Sequence, residues 1–191
     1  YPTQPTEGGL MRYILISVAL ALATPVVAQA QSFESRLNFA DRQAIEINNA
    51  AGILELSGFS FGNVYERSRF RLNTSLSWKN VSQKPITAFE VVILRYDPFN
   101  RPIRGGGTWM VTGKNSGDWR PLAAGESSAD GLSAFDSEPV LTSVAYVRAV
   151  RFQDGAVWKA DIADIERQIQ TRLPELKDLG EVSPESQKEP E

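Results

Sequence analysis

Apolar and polar residues alternate with a period of two along most of the chain between residues 33 and 157. The pattern is clearest over residues 70–78, where one face carries Phe70, Leu72, Thr74, Leu76 and Trp78 and the other face is polar. Such alternation is typical of a strand with one buried face. The sequence therefore predicts a chain built mainly from half-buried strands.

A second strand type is indicated by residues 86–96, which are apolar on both faces. A strand covered on both sides is central in its sheet, so we expect this segment to be a central strand. Further strands are predicted at residues 44–47, 52–61, 103–112 and 132–135, with a bulge or exposed bend at the glycine run 105–107.

The clearest turn signal is the pair Asp154-Gly155, which separates the apolar runs 143–153 and 156–159. An Asp-Gly pair between two such runs predicts a hairpin with a type I′ turn, which needs positive φ at both central positions.

The period changes to that of a helix after Asp161, which is expected to cap its N-terminus. The apolar positions that follow at helical spacing are Ile162, Ile165, Ile169 and Leu173. Strands followed by one helix predict an all-β fold: an immunoglobulin-like antiparallel β-sandwich of about seven strands followed by one C-terminal amphipathic helix. A small closed barrel is the alternative.

Residues 11–30 have the pattern of a signal peptide. Arg12 precedes an apolar run over residues 14–27, and Ala28-Gln29-Ala30 is a signal-peptidase pattern, so we expect cleavage after Ala30 and a periplasmic or secreted bacterial protein. A retained anchor is the alternative, but the run is shorter than the ~20 residues of a spanning helix. Residues 1–10 are interpreted as an upstream segment.

The predicted mature chain divides into a sandwich domain over residues 31–160, a helix over 161–173 and a tail over 174–191. The tail carries six acidic residues, two lysines and three prolines without an aromatic residue, so we expect it to be disordered. The body up to residue 173 has 17 basic and 16 acidic residues. This near-neutral balance gives no electrostatic basis for nucleic-acid binding.

The chain contains neither cysteine nor histidine. Disulfides, catalytic Ser-His-Asp or Cys-His groups and histidine-ligated metals are therefore excluded. A carboxylate pair, a Ser-Lys dyad and an oxygen-ligated calcium site at residues 130–138 stay open. The candidate carboxylates are Asp97, Asp118, Asp130, Asp136, Glu138 and Asp154. Their spacing indicates no catalytic pair, so we expect no enzymatic activity, no cofactor and no metal.

Three short motifs stand in the middle third of the chain: Asn80-Val81-Ser82 after one strand, Tyr96-Asp97 at the end of the next, and residues 122–126 (LAAGE) before a later strand. In these motifs the chain resembles the FxLYD and related immunoglobulin-like domains of exported bacterial proteins. The resemblance implies a sandwich fold and a non-enzymatic accessory role, and it implies no particular ligand.

Two tryptophans are candidate binding residues. Trp109 follows the glycine run and Trp119 closes a polar loop, whereas Trp78 and Trp158 alternate with polar residues and are assigned to the core. Exposed aromatic residues beside Asn and Asp can stack on a sugar or anchor a protein partner. The alternative is that both pack at the sandwich edge.

Arg67, Arg69 and Arg71 recur with a period of two and would line one face of a strand. They are candidates for an anionic partner or the acidic tail, and the alternative is a solvated face that guards against edge pairing.

These observations favour an exported non-catalytic binding or scaffold domain that acts through loops and sheet edges, with another envelope or extracellular protein as partner. A carbohydrate-binding module that uses the exposed tryptophans and a carboxylate-dependent hydrolase are the two alternatives. No nucleic-acid partner is expected, nor a membrane anchor after signal cleavage.

Overall fold

The computed structural model describes residues 42–66, 69–104, 107–136 and 138–184, and for residues 65, 66, 69 and 134–136 it describes the backbone alone. The chain divides into two units, residues 1–30 and 31–191, and the described residues all belong to the second unit. The signal-peptide prediction concerns the first unit and stays a prediction. No helix within the described ranges is long and apolar enough to span a bilayer.

The described residues form eight strands and one helix: β1 (Gln43–Ile47), β2 (Leu54–Glu66), β3 (Arg69–Asn80), β4 (Ile86–Tyr96), β5 (Gly107–Thr112), β6 (Ser127–Asp136), β7 (Thr142–Phe152), β8 (Val157–Lys159) and α1 (Ile162–Arg172). Every strand predicted from the sequence is present. The predicted bulge at 105–107 falls largely on residues that are not described.

The strands form two sheets. Strands β2, β3 and β6 make a three-stranded sheet in the order β2-β3-β6. The five-stranded sheet has the order β1-β7-β4-β5, and β8 also pairs with β7. With β2 to β8 as strands A, B, C, C′, E, F and G, this is an A-B-E sheet against a C′-C-F-G sheet, which confirms the predicted immunoglobulin-like sandwich. Strand β1 is an addition and runs parallel to β7.

Strand β4 is central, as predicted, because it pairs with β5 on one side and β7 on the other. Its two faces enter different apolar clusters. Phe89, Val91 and Ile93 belong to the core between the sheets. Val92 and Leu94 belong to a second cluster on the outer face of the five-stranded sheet.

The core between the sheets is centred on aromatic rings. Trp78 is buried and makes edge-to-face contacts with Phe89, at 5.0 Å between ring centroids, and with Trp109, at 5.7 Å. Such T-shaped pairs add to the free energy gained by burying the rings. Trp158 packs against this core in a partly buried position, which agrees with its assignment from the sequence.

Helix α1 covers part of the outer apolar cluster. Asp161 caps its N-terminus by accepting a hydrogen bond from the Ala163 N–H at 3.0 Å, and Ile165 and Ile169 are fully buried. The predicted cap and apolar stripe are therefore confirmed.

The chain continues after the helix as an ordered segment, residues 174–184, which we call the C-terminal strap. Leu176 and Val182 are buried in the outer cluster. The hydroxyl of Tyr96 donates to the Leu179 carbonyl at 3.2 Å, and that of Tyr146 donates to the Val182 carbonyl at 2.5 Å. The predicted disorder is therefore wrong for these residues, because apolar side chains spaced along an acidic segment anchor it to the sheet. Residues 185–191 lie outside the described residues.

The hairpin between β7 and β8 is present, but its predicted turn type is wrong. Phe152 N–H donates to the Ala156 carbonyl at 2.9 Å, and Gly155 N–H donates to the Phe152 carbonyl at 3.0 Å. Gly155 has a φ of 86°, whereas among the described non-glycine residues Asn100 is the one with positive φ. Asp154 therefore keeps negative φ, and the connection is a three-residue loop that ends in a left-handed glycine.

Candidate functional site

Three loops meet at one end of the sandwich, which we call the loop end. They connect β3 to β4 (residues 81–85), β5 to β6 (residues 113–126) and β7 to β8 (residues 153–156). In the immunoglobulin-like scheme the first and third are the B–C and F–G loops, which belong to the binding end of antibody variable domains.

Direct contacts join the three loops to one another. Gln153 N–H donates to the Pro85 carbonyl at 2.9 Å. Lys84 Nζ lies 2.6 Å from Asp154 Oδ2, which is a second bond between the same two loops. The buried Asn80 side chain donates to the Leu122 carbonyl at 3.0 Å and so links the first loop to the β5–β6 loop. The loop end is therefore a continuous surface.

The β5–β6 loop is folded tightly on itself. Lys114 N–H donates to the Asp118 carbonyl at 3.1 Å, and Asp118 N–H donates to the Asn115 carbonyl at 3.2 Å. Gly113 has a φ of 81°, and a Cβ atom there would lie 1.9 Å from the Asp118 carbonyl oxygen. Only glycine fits this position, because a side chain would be both strained and in collision with the backbone.

Two core tryptophans donate hydrogen bonds to this loop. Trp78 Nε1–H donates to the Lys114 carbonyl at 3.0 Å, and Trp109 Nε1–H donates to Ser116 Oγ at 3.1 Å. The loop thus provides the buried indoles with the hydrogen-bond partners that they need. The same two hydrogen bonds fix the loop to strands of both sheets.

The two candidate tryptophans differ in exposure. Trp119 is 82% exposed in the β5–β6 loop, as the sequence predicts. Trp109 is 6% exposed and packs in the core, so the prediction that it is an exposed binding residue is wrong. The physical reason is its register on β5, where Trp109 and Val111 share the face that points between the sheets.

Charged residues of the β5–β6 loop form a network of ion pairs centred on Glu126. Arg120 Nη2 lies 2.7 Å from Glu126 Oε1, and Lys114 Nζ lies 3.2 Å from the same oxygen. Glu126 also accepts a hydrogen bond from the Ala123 N–H at 2.9 Å. Hydrogen bonds from Arg120 and Ala123 lower the pKa of Glu126 to about 2.

The arginine candidates that the structure describes lie away from the loop end. Arg67 lies outside the described residues, and the structure describes only the backbone of Arg69. Arg71 is on the outer face of the three-stranded sheet, toward the opposite end of β3, and its Nε donates to Asn73 Oδ1 at 3.1 Å. The structure therefore does not bring Arg71 together with Trp119.

Three of the candidate carboxylates, Asp97, Asp130 and Asp154, each bond a different part of the chain. Asp97 is 2% exposed at the far end of the sandwich, where it accepts hydrogen bonds from the N–H groups of Phe99 and Arg101 at 2.8 and 3.0 Å. Asp130 lies on β6 and bonds the β5–β6 loop, and Asp154 bonds Lys84. No group of three or more potential metal ligands occurs in the part of the chain that is described.

Sequence reasoning names Asp130 as a candidate carboxylate, but it misses Ser116 and the contact between the two residues. Ser116 and Asp130 join the β5–β6 loop to β6, with Ser116 N–H donating to Asp130 Oδ2 at 3.0 Å. The two residues are fourteen positions apart, so no local motif identifies the pair. Phe99, which is 76% exposed at the far end, was also missed. Its position between Pro98 and Asn100 in a turn is the signal that it would be exposed.

Comparisons with known proteins give similar structures of low sequence identity. No protein-family model matches the chain, and no curated protein matches it. A hypothetical protein from Peptoclostridium difficile 630 is 14% identical with a TM-score of 0.40, over 62% of this chain and 90% of that chain. A Bordetella pertussis protein provisionally assigned as ApaA is 15% identical with a TM-score of 0.40, over 56% of this chain and 88% of that chain.

Proposed function

We propose that the chain is an exported, non-catalytic binding module, and that its loop end binds another envelope or extracellular protein through Trp119. The observation that carries this proposal is the 82% exposure of a tryptophan on a loop that is fixed to the core. Tryptophan is enriched among the residues that dominate binding energy at protein interfaces.

The order of the loop supports a binding role. A flexible loop loses conformational freedom when it binds, and this loss weakens the complex. The β5–β6 loop already has fixed backbone contacts at Gly113, Lys114 and Ser116. An indole presented in this way reaches a partner with little further ordering, so most of its buried area contributes to affinity.

The contacts around Trp119 favour a protein partner over a sugar. Sugar recognition needs free polar groups beside the aromatic ring. Here Asn115 Oδ1 accepts from Gly117 N–H at 3.2 Å, and Asp118 Oδ1 accepts from Arg120 N–H at 2.9 Å. Arg120 in turn pairs with Glu126. One oxygen of Asn115, one of Asp118 and the Arg120 guanidinium are thus engaged within the loop, whereas the exposed indole of Trp119 can enter an apolar cleft of a partner.

The absence of histidine and cysteine and the structural use of the carboxylates support a non-catalytic role. The signal-peptide pattern over residues 11–30 supports export. The FxLYD-like motifs are consistent with an accessory domain. Three of their residues, Asn80, Asp97 and Glu126, each form a side-chain hydrogen bond to the backbone of a loop and so have a structural role.

Replacing Trp119 with alanine tests the proposal. The exported protein, whose first residue should be Gln31, is cross-linked in its native envelope, and the recovered partner is quantified. We expect Trp119→Ala to weaken binding by about 2 kcal/mol or more, which is roughly a 30-fold loss. Phe99→Ala is the matched control, since Phe99 is 76% exposed at the far end, and it should bind like the wild type.

The outcomes separate the candidate functions. Equal recovery with Trp119→Ala and Phe99→Ala would overturn the assignment of the loop end. Retention of the wild type on immobilised glycans, with loss in Trp119→Ala, would favour the carbohydrate-binding alternative. Both variants should keep the parent melting temperature, because the two side chains are exposed.

A further inference from the structure

We propose that Ser116 and Asp130 are positioning residues for Trp119, a role that rests on the proposed function. They connect the β5–β6 loop to strand β6, so that affinity at Trp119 depends on a carboxylate outside the loop itself. We call the connected groups of Trp109, Ser116 and Asp130 the latch.

Ser116 is the centre of the latch because it makes bonds in two directions. Its Oγ accepts a hydrogen bond from Trp109 Nε1–H at 3.1 Å, and its N–H donates to Asp130 Oδ2 at 3.0 Å. Trp109 belongs to the five-stranded sheet and Asp130 to the three-stranded sheet. One residue of the loop is therefore held by both sheets.

Asp130 is itself fixed, so it can hold another group in place. Its Oδ1 accepts a hydrogen bond from Gly131 N–H at 2.7 Å while Oδ2 accepts from Ser116. Burial alone would raise the pKa of Asp130, but the hydrogen bonds from Ser116 and Gly131 outweigh it and lower the pKa. The carboxylate is therefore ionised at neutral pH, and both of its oxygens are in use.

The distance along the chain from the latch to Trp119 is short. Only Gly117 and Asp118 separate Ser116 from Trp119, and Asn115 and Asp118 form a bridge across this turn. Fixing Ser116 consequently fixes the backbone that carries the indole. If the latch opens, the loop keeps its contact at Lys114, but the segment with Trp119 gains freedom that must be lost again on binding.

The decisive variant is Asp130→Ala in the full chain labelled with 5-fluorotryptophan. The four tryptophans give separate fluorine signals, and Trp119→Phe assigns the signal of Trp119. We expect Asp130→Ala to narrow the Trp119 signal, to leave those of Trp78 and Trp158 unchanged, and to speed amide exchange at Ser116. Binding of the cross-linked envelope partner should weaken by about 5- to 10-fold because the loop must be ordered on binding.

Two further variants separate positioning from general structural damage. Asp130→Asn keeps an acceptor oxygen for one of the two N–H groups and should recover part of the Trp119 line width and of the affinity. Asp164→Ala removes a carboxylate of helix α1 that bonds Arg167 outside the loop end, and it should leave the Trp119 signal and binding unchanged.

The inference is wrong if Asp130→Ala leaves the Trp119 line width and Ser116 exchange unchanged, even where Trp119→Ala abolishes binding. Conversely, a narrowed Trp119 signal with normal binding of Trp119→Ala would overturn the proposed function and leave the positioning role intact. If Asp130→Ala loses the dispersed core signals, Asp130→Asn and Ser116→Ala decide the question by the same two measurements.

Discussion

The two ends of the sandwich each present an exposed aromatic ring, but they hold it by different means. At the loop end Trp119 is 82% exposed, and at the far end Phe99 is 76% exposed. The loop of Phe99 is ordered by its own carboxylate, Asp97, which accepts hydrogen bonds from Phe99 and Arg101. The loop of Trp119 is held instead by groups outside the loop: the indoles of Trp78 and Trp109 and the carboxylate of Asp130.

The rings also differ in what surrounds them. The Arg101 guanidinium lies 5.1 Å from the centre of the Phe99 ring, so the chain already supplies a partner for that ring. The C-terminal strap also packs against the far end. Gly180 lies so close to Pro102 that a Cβ atom added to Gly180 would be 2.7 Å from Pro102 Cβ. The two rings are similarly exposed, but their settings differ. Phe99 lies in a turn whose own residues contact the ring, whereas Trp119 lies on a loop that is fixed by residues of both sheets.

The strongest test of this comparison is Trp109→Ala. Its side chain is 6% exposed, contacts Trp78 and donates to Ser116, so its loss leaves a cavity and frees the β5–β6 loop. We expect the free energy of unfolding to fall by about 3–5 kcal/mol, measured by urea denaturation. Amide exchange should rise at the loop end and stay unchanged around Phe99.

The controls are Trp119→Ala and Phe99→Ala, which should change the free energy of unfolding by less than about 0.5 kcal/mol. A loss with Trp109→Ala as small as with these exposed variants would mean that the core does not hold the loop. The distinction between the two ends would then disappear.

The sequence predicts the strands well because alternation reports burial directly. Leu72, Thr74, Leu76 and Trp78 are all buried on one face of β3, as their spacing indicates. The central position of β4 and the cap at Asp161 follow from equally local signals. These features depend on residues close together in the chain, so one sequence is enough to find them.

The features that the sequence does not reveal depend on distant partners. Trp109 and Trp119 have similar local settings of glycine and polar residues, and only the register of β5 against β4 separates them. The strap has the composition of a disordered tail, and its order comes from Tyr96 and Tyr146 on the sheet. The parallel pairing of β1 with β7 has no local signal at all.

A smaller effect is expected at the β7–β8 turn, which belongs to the loop end. Gly155 has a φ of 86° and no neighbouring atom within 4 Å of an added Cβ, so strain alone opposes a substitution. Gly155→Val should lower the free energy of unfolding by about 1–2 kcal/mol, because a β-branched residue rarely adopts positive φ. Thermal melts measure the change.

Gly155→Asn is the control and should lower the free energy of unfolding by less, since Asn tolerates this conformation. Equal melting temperatures for the parent and Gly155→Val would show that the turn does not set the hairpin.

The smallest expected effect is the loss of stability at acid pH. The pKa of Glu126 is lowered to about 2 from its ordinary value of 4.5, chiefly by the hydrogen bond from Arg120. A carboxyl group with a lowered pKa stabilises the fold fully above its unfolded pKa, and this contribution is lost as the pH falls from about 4.5 toward 2. Glu126→Gln should therefore melt below the parent at pH 7, and the difference in melting temperature should shrink between pH 4.5 and pH 2.

A second carboxylate, Asp97, adds a similar acid dependence at the far end. Burial alone would raise the pKa of Asp97, but hydrogen bonds from Arg101 and Phe99 outweigh it and lower the pKa. Both Glu126→Gln and the parent should therefore still lose stability in acid. A difference between the two proteins that stays constant from pH 7 to pH 2 would show that the charge of Glu126 does not stabilise the loop end.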